Sequence, residues 1–167
     1  MVSSTLHIAN QQIEEALWSV TDPEIPVLSI MDMGVVREVK QDGEAVLISI
    51  TPTYSGCPAM DTIADDIKKA LKVLGFQAKV KLILAPAWTT DWITERGRKK
   101  LQEYGIAPPM DEASDKAALL DGERMIKCTH CGSTSTRMIS QFGSTACKAL
   151  FQCNECDEPF DYFKCLK

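Results

Sequence analysis

The chain has 167 residues, with 18 lysines and arginines against 23 aspartates and glutamates, for a net charge of −5. That length supports a domain with a real core, or such a core plus a small module. The acidic balance argues against a nucleic-acid binder, and no apolar run approaches the length that spans a bilayer.

The N-terminus, Met1 to His7, lacks the basic and apolar regions of a signal peptide. The expected location is therefore the cytoplasm, where disulfides are rare. In that compartment seven cysteines point to metal binding or thiol chemistry, and an odd number cannot all pair internally. Six of the seven fall in the last 40 residues. That asymmetry alone proposes two domains.

In chain order, residues 8–20 read as a helix, with Ile13, Ala16, Leu17 and Val20 on one face. Residues 21–34 hold Pro23 and Pro26, which stop a helix and favour an extended path. Asp22, Glu24 and Asp32 lie in this stretch, and on composition they read as turn-forming residues of a solvated loop. Val35 to Lys40 and Ala45 to Thr51 read as strands of a hairpin around Asp42-Gly43. Pro58 to Leu74 has helical period and ends at Gly75. Ala78 to Leu84 reads as a third strand, reached by a right-handed crossover and so parallel to the second. Ala85-Pro86-Ala87-Trp88-Thr89-Thr90-Asp91-Trp92 follows. Thr90 or Asp91 is placed to cap a helix reaching about Tyr104.

Cys57 sits between the second strand and the following helix, just before Pro58, which suits a first helical position. A thiol capping a helix meets unpaired N–H groups and the positive end of the dipole, and both favour thiolate. The alternative is a cysteine packed beside a turn. The spacing leaves both open. Trp88 and Trp92 likewise read either as cover for the sheet or as a docking surface.

Cys128-Thr129-His130-Cys131 and Cys153-Asn154-Glu155-Cys156 are two Cys-x-x-Cys knuckles with 21 residues between them. Thiolates at this spacing converge on a tetrahedral metal, with structural zinc as the default and rubredoxin-like iron as the alternative. The intervening Thr134 to Gln141 and Cys147 to Gln152, with Phe160 to Phe163, read as the strands of a zinc ribbon. A module of about 40 residues buries too little to fold without such a staple. Its near-neutral charge favours protein docking over nucleic acid. His130 lies inside a site that four thiolates already complete. Cys147 and Cys165 read as ordinary strand residues.

The expected class is α+β: a small mixed three-stranded sheet with helices over residues 1–105, a linker at 106–125 with a helical turn near Ala117 to Leu120, and a zinc ribbon at 126–167. Neither His7 nor His130 is placed to partner Cys57 in a Cys–His enzyme. There is no Glu-x-x-His pair for a carboxylate di-iron centre and no Gly-rich phosphate loop.

Asp22-Pro23-Glu24-Ile25-Pro26, Asp32-Met33-Gly34-Val35-Val36-Arg37 and Thr51-Pro52-Thr53-Tyr54-Ser55-Gly56-Cys57-Pro58 resemble the SufT-like family of iron–sulfur assembly factors. Ala85 to Ile93, Tyr104 to Pro109, Phe142 to Lys148 and Pro159 to Cys165 resemble its PaaD-type members, from bacterial phenylacetate degradation. The resemblance implies an accessory protein of the phenylacetyl-CoA 1,2-epoxidase. Such a protein matures the complex rather than catalysing, and its partner is the iron–sulfur reductase or the di-iron oxygenase subunit. It also implies that Cys57 and Asp22 handle a transient iron ion or iron–sulfur cluster. A docking subunit with a packed Cys57 is the alternative reading, and a thiol enzyme a third. The oligomeric state, homo-oligomer or not, stays open.

Overall fold

The computed structural model describes residues 6–110 and 126–164. Contacts divide the chain into two units. One runs to Trp88 and takes in Trp92–Thr94, and the other holds Thr89–Asp91 and the chain from Glu95 onward.

In the first unit, α1 (Gln11–Ser19) starts where the Asn10 side chain accepts from the N–H groups of Gln12 and Ile13, and it buries Ile13 and Leu17. Strands β1 (Val36–Asp42) and β2 (Ala45–Ile50) form the expected hairpin, turning at Gly43-Glu44. Helix α2 (Ala59–Val73) buries Ile63, Ile67 and Leu71, whose spacing is that of one helical face. Full burial of each such side chain contributes about 2 kcal/mol. The helix ends in a Schellman motif: Phe76 N–H donates to Leu71 O, Gly75 N–H to Lys72 O, and Gly75 takes φ +86°. β3 (Gln77–Leu82) then pairs parallel to β2, giving the order β1-β2-β3. Val46, Ile48 and Ile50 point to the buried face of this sheet.

Before β1, residues 21–34 are a compact irregular segment rather than a solvated loop. Ile25, Leu28, Ile30 and Met33 are buried in it, and so are Asp22 and Asp32. Gly34 marks its end. Its φ is +66°, and a Cβ there would lie 2.7 Å from Trp92 Cβ.

The helix expected from Thr90 or Asp91 begins later. Residues Thr90–Trp92 form one 3₁₀ turn, and α3 runs Glu95–Tyr104. Thr94 is held instead by Asp32, through N–H to O at 2.9 Å and Oγ1 to Oδ1 at 2.9 Å, which fixes the chain outside the helix up to that point.

In the second unit, a two-residue strand, β4 (Ile106–Ala107), precedes β5 (Thr136–Ser140), β6 (Lys148–Cys153) and β7 (Pro159–Phe163). The last three form an antiparallel ribbon, and β4 adds to β7 in parallel. The expected division after residue 105 is therefore not where the contacts part. Helix α3 belongs to the ribbon's unit, and the first two residues of the expected linker belong to its sheet. The helical turn expected near Ala117 lies outside the described residues, as does Cys165. The ribbon's core is built on Phe151, Phe160 and Tyr162, with Phe151 edge-on to Tyr162 at 5.6 Å. Among the described residues no helix is long and apolar enough to cross a membrane.

Candidate functional site

The loop that carries Cys57 leaves the end of β2 at Thr51. Thr51 is buried, its N–H donates to Val35 O at 2.9 Å, and its hydroxyl donates to Ile83 O at 2.8 Å. The loop is thus anchored on both sides before it turns. Cys57 N–H closes the turn onto Tyr54 O at 3.3 Å. Pro58, in helical conformation, occupies the cap of α2, so the cap falls one residue later than the sequence suggests.

The Cys57 thiol is half-buried, and its acidity departs from the expectation. Burial pushes the thiol up from its ordinary value, and the carboxylates of Glu24 and Asp22 push it further in the same direction. The Ala59 N–H at the start of α2 and the Tyr54 hydroxyl favour thiolate, as a helix terminus should, but they do not prevail. The group is a thiol held protonated by its surroundings, not a pre-formed thiolate.

Asp22 is 6% exposed. One of its oxygens, Oδ1, accepts from Glu24 N–H at 2.8 Å and Ile25 N–H at 2.9 Å, while its own N–H donates to Leu28 O. Asp22 therefore shapes the turn that presents Glu24. Glu24 ranks ahead of Asp22 among the charges acting on Cys57, yet in sequence it reads only as one of several loop acids. The signal that could have found it is its place two residues after a turn-forming aspartate. The two carboxylates act on the thiol through their charge, and burial acts on it more strongly. Among the described residues only the four ribbon cysteines bring ligand atoms close enough together to hold a metal ion.

The second site lies in the ribbon. The Sγ atoms of Cys128, Cys131, Cys153 and Cys156 all lie within 4.8 Å of one another. Cys128 and Cys156 are 3.8 Å apart, and Cys131 and Cys153 are 3.5 Å apart. A tetrahedral zinc with Zn–S near 2.3 Å requires sulfurs about 3.8 Å apart, so the four fit. His130 N–H donates to Cys128 Sγ and Glu155 N–H to Cys153 Sγ, each at 3.4 Å. These bonds come from the knuckle backbone, which explains the two-residue spacing.

The thiols move in opposite directions. The Cys156 N–H helps hold Cys153 down to about 7. Cys156 has the Glu158 N–H aimed at it, but burial and the three neighbouring thiols push it up to about 12. Four sulfurs this close cannot all be thiolates without a cation among them. His130 is exposed beside this set and is not part of it. Cys147 is buried at the entry to β6 and bonds Thr145 Oγ1 at 3.1 Å.

The two tryptophans are not a matched docking pair. Trp88 is 2% exposed, and its indole N–H donates to Met33 O at 2.8 Å. Buried in this way, it presents almost no surface to a partner. Trp92 is half-buried under the Arg37 guanidinium, which sits 3.5 Å from the ring centroid.

Comparisons with known proteins match two separate stretches of the chain. The sequence model described as an iron–sulfur cluster assembly protein matches residues 10–82, and that of the PaaD zinc beta ribbon domain matches residues 112–164. An Escherichia coli (strain K12) protein named for a subunit of 1,2-phenylacetyl-CoA epoxidase is 50% identical over 164 residues. The match covers 95% of this chain and 96% of that one. A protein of Porphyromonas gingivalis named as an Fe-S protein maturation auxiliary factor is 33% identical over 94 residues, covering 54% of this chain and 89% of its own. Among solved structures, a domain of unknown function, DUF59, from Bacillus anthracis superposes with a TM-score of 0.50 at 28% identity. It covers 54% of this chain and 88% of that one.

Proposed function

The chain belongs to the iron–sulfur cluster assembly family, in the form that carries a PaaD zinc ribbon, and from that premise we propose that it is a cytoplasmic maturation factor of the phenylacetyl-CoA epoxidase system. Its cargo is iron or an iron–sulfur cluster, and its client is another subunit of that complex, the reductase or the di-iron oxygenase. The observation that carries this reading is the place of Cys57 in the loop between β2 and α2, inside the segment matched by the assembly family, where the charges of Glu24 and Asp22 act on its thiol.

The chemistry is that of a temporary holder. A single thiolate in a loop binds a metal through few bonds, which leaves positions for a client's ligands. A thiol kept protonated in the empty site gives up its proton on loading and takes one back on release, so loading is coupled to proton transfer. Thr51 and the Asp22 turn fix the two halves of the site, and Tyr54 and the Ala59 N–H stabilise the sulfur once it is charged. In the ribbon, Cys128, Cys131, Cys153 and Cys156 would hold zinc as a closed four-thiolate structural ion. That module then serves as a stable platform for the client.

The test is anaerobic reconstitution of the full chain with ferrous iron and sulfide. Wild type is expected to bind iron beyond the one metal of the ribbon, and Cys57→Ser is expected to lose that excess while keeping the ribbon's metal. Equal iron in both proteins would overturn the reading.

A second reading rests on the name of the E. coli relative, which is that of an epoxidase component. On that reading the chain stays in the epoxidase as a docking subunit. Stoichiometric presence in the purified, active complex would favour it.

A further inference from the structure

Among the described residues, β3 is an edge strand of the first sheet and pairs only on its β2 side. Gln77 N–H donates to Glu44 O and Ile83 N–H to Ile50 O. Because backbone groups alternate along a strand, the odd-numbered residues from 77 to 83 face β2. The amides and carbonyls of Ala78, Val80 and Leu82 therefore face the open edge.

The two faces along this edge differ in chemistry. Ala78, Val80 and Leu82 lie in register with Val46, Ile48 and Ile50, on the buried face. Lys79 and Lys81 lie on the other face and are exposed. Apolar surface nevertheless remains at the end of the strand, with Leu82 at 51% and Leu84 at 62% exposure. An edge lysine ordinarily guards against self-pairing. Here an antiparallel second copy centred on Val80 would set Lys79 against Lys81 of the copy twice over, which like charges disfavour. A strand with carboxylates opposite these lysines and apolar residues opposite Val80 and Leu82 meets no such penalty.

We propose that the open edge of β3 is a docking site for an extended protein segment with alternating acidic and apolar residues, added to the sheet as a fourth strand. Its backbone would pair with Ala78, Val80 and Leu82, its carboxylates would face Lys79 and Lys81, and its apolar side chains would cover Leu82 and Leu84. The site is next to the thiol loop. Ile83 O is the acceptor for the Thr51 hydroxyl, at 2.8 Å, and Thr51 begins the loop that carries Cys57. A strand on β3 lies two strand spacings, about 10 Å, from the strand that feeds this loop. The inference concerns where a partner is held and does not depend on what Cys57 binds.

The test uses the full chain and a fluorescent, end-capped heptapeptide of alternating glutamate and valine. Anisotropy is expected to report saturable binding, and hydrogen exchange is expected to slow at the amides of Ala78, Val80 and Leu82. The Lys79→Glu/Lys81→Glu variant, altered only at exposed positions, is expected to bind it roughly tenfold or more weakly and to gain affinity for the matching lysine–valine peptide. Methylating the peptide's bonding backbone nitrogens is expected to abolish binding. Three outcomes would each overturn the proposal: no binding by the wild type, binding indifferent to the charge reversal or to methylation, or a concentration-dependent dimer that protects the same amides without peptide.

Discussion

Four sulfurs of the ribbon lie within 4.8 Å of one another on two knuckles, whereas Cys57 is one sulfur in the loop between β2 and α2, under the charges of Glu24 and Asp22. The first arrangement can complete a coordination sphere by itself, so a metal there would be permanent and structural. The second would supply only part of a sphere, so a metal there would remain accessible to other ligands. Both sites use cysteine, and the number and type of neighbouring donors separates a staple from a holder.

The sharpest way to break this comparison is to remove one ribbon sulfur. Cys131→Ser, or a strong chelator, is expected to unfold the ribbon, because structural zinc contributes about 10–16 kcal/mol of folding free energy in small modules. The first unit, with its own core, is expected to keep its helices. Metal analysis should read one zinc per chain in the wild type and none in the variant. Circular dichroism should retain the α1 and α2 signal, and loss of that signal would mean that the two units share their stability.

The first unit depends on backbone fit instead. Gly34→Ala places a methyl group 2.7 Å from Trp92 Cβ at a φ of +66°. It is expected to cost about 3 kcal/mol in urea unfolding while zinc content stays the same. Asp22→Ala leaves the Glu24 and Ile25 N–H groups without their acceptor, and is expected to cost about 1–2 kcal/mol.

Smaller effects bear on the thiol. A raised Cys57 pKa means less thiolate at pH 7, so alkylation by iodoacetamide should be slow there and should still be climbing above the ordinary thiol range. Glu24→Gln removes a negative neighbour and lowers that value, so the rate at pH 7 should rise. An unchanged rate would remove Glu24 from the site. Asn or Gln at these positions should leave the ribbon's metal untouched.

Much of this was legible in the sequence, for definable reasons. The knuckle spacing and the α2 face of Ile63, Ile67 and Leu71 are local patterns, and each is where the spacing puts it, while the hairpin turns one residue later than Asp42-Gly43, at Gly43-Glu44. The start of α3 was not legible, because Thr94 is held by Asp32, 62 residues away in sequence. The burial of residues 21–34 was hidden for a similar reason. Prolines and acids look like loop composition, and only the packing of Ile25, Leu28 and Ile30 reveals otherwise. The helix-terminus argument for Cys57 identified a real favourable contact, Ala59 N–H, but could not weigh it against burial and two carboxylates brought from another part of the chain. For the tryptophans the sequence left packing and docking open, and it could not show that Trp88 is buried with Met33 O as the acceptor of its indole N–H.

The claim at the centre of the account is that Cys57 acts on the partner's metal and not on this protein's own fold. Serine keeps the size and polarity of the position while removing the soft ligand, so Cys57→Ser should leave stability within about 0.5 kcal/mol of wild type. The most direct measurement is the iron content of epoxidase subunits purified from cells whose only copy of this chain carries Cys57→Ser. The expected variant is folded, holds its zinc and still co-purifies with its client, while the epoxidase is depleted of iron and inactive. Fully metallated, active epoxidase from those cells would contradict it.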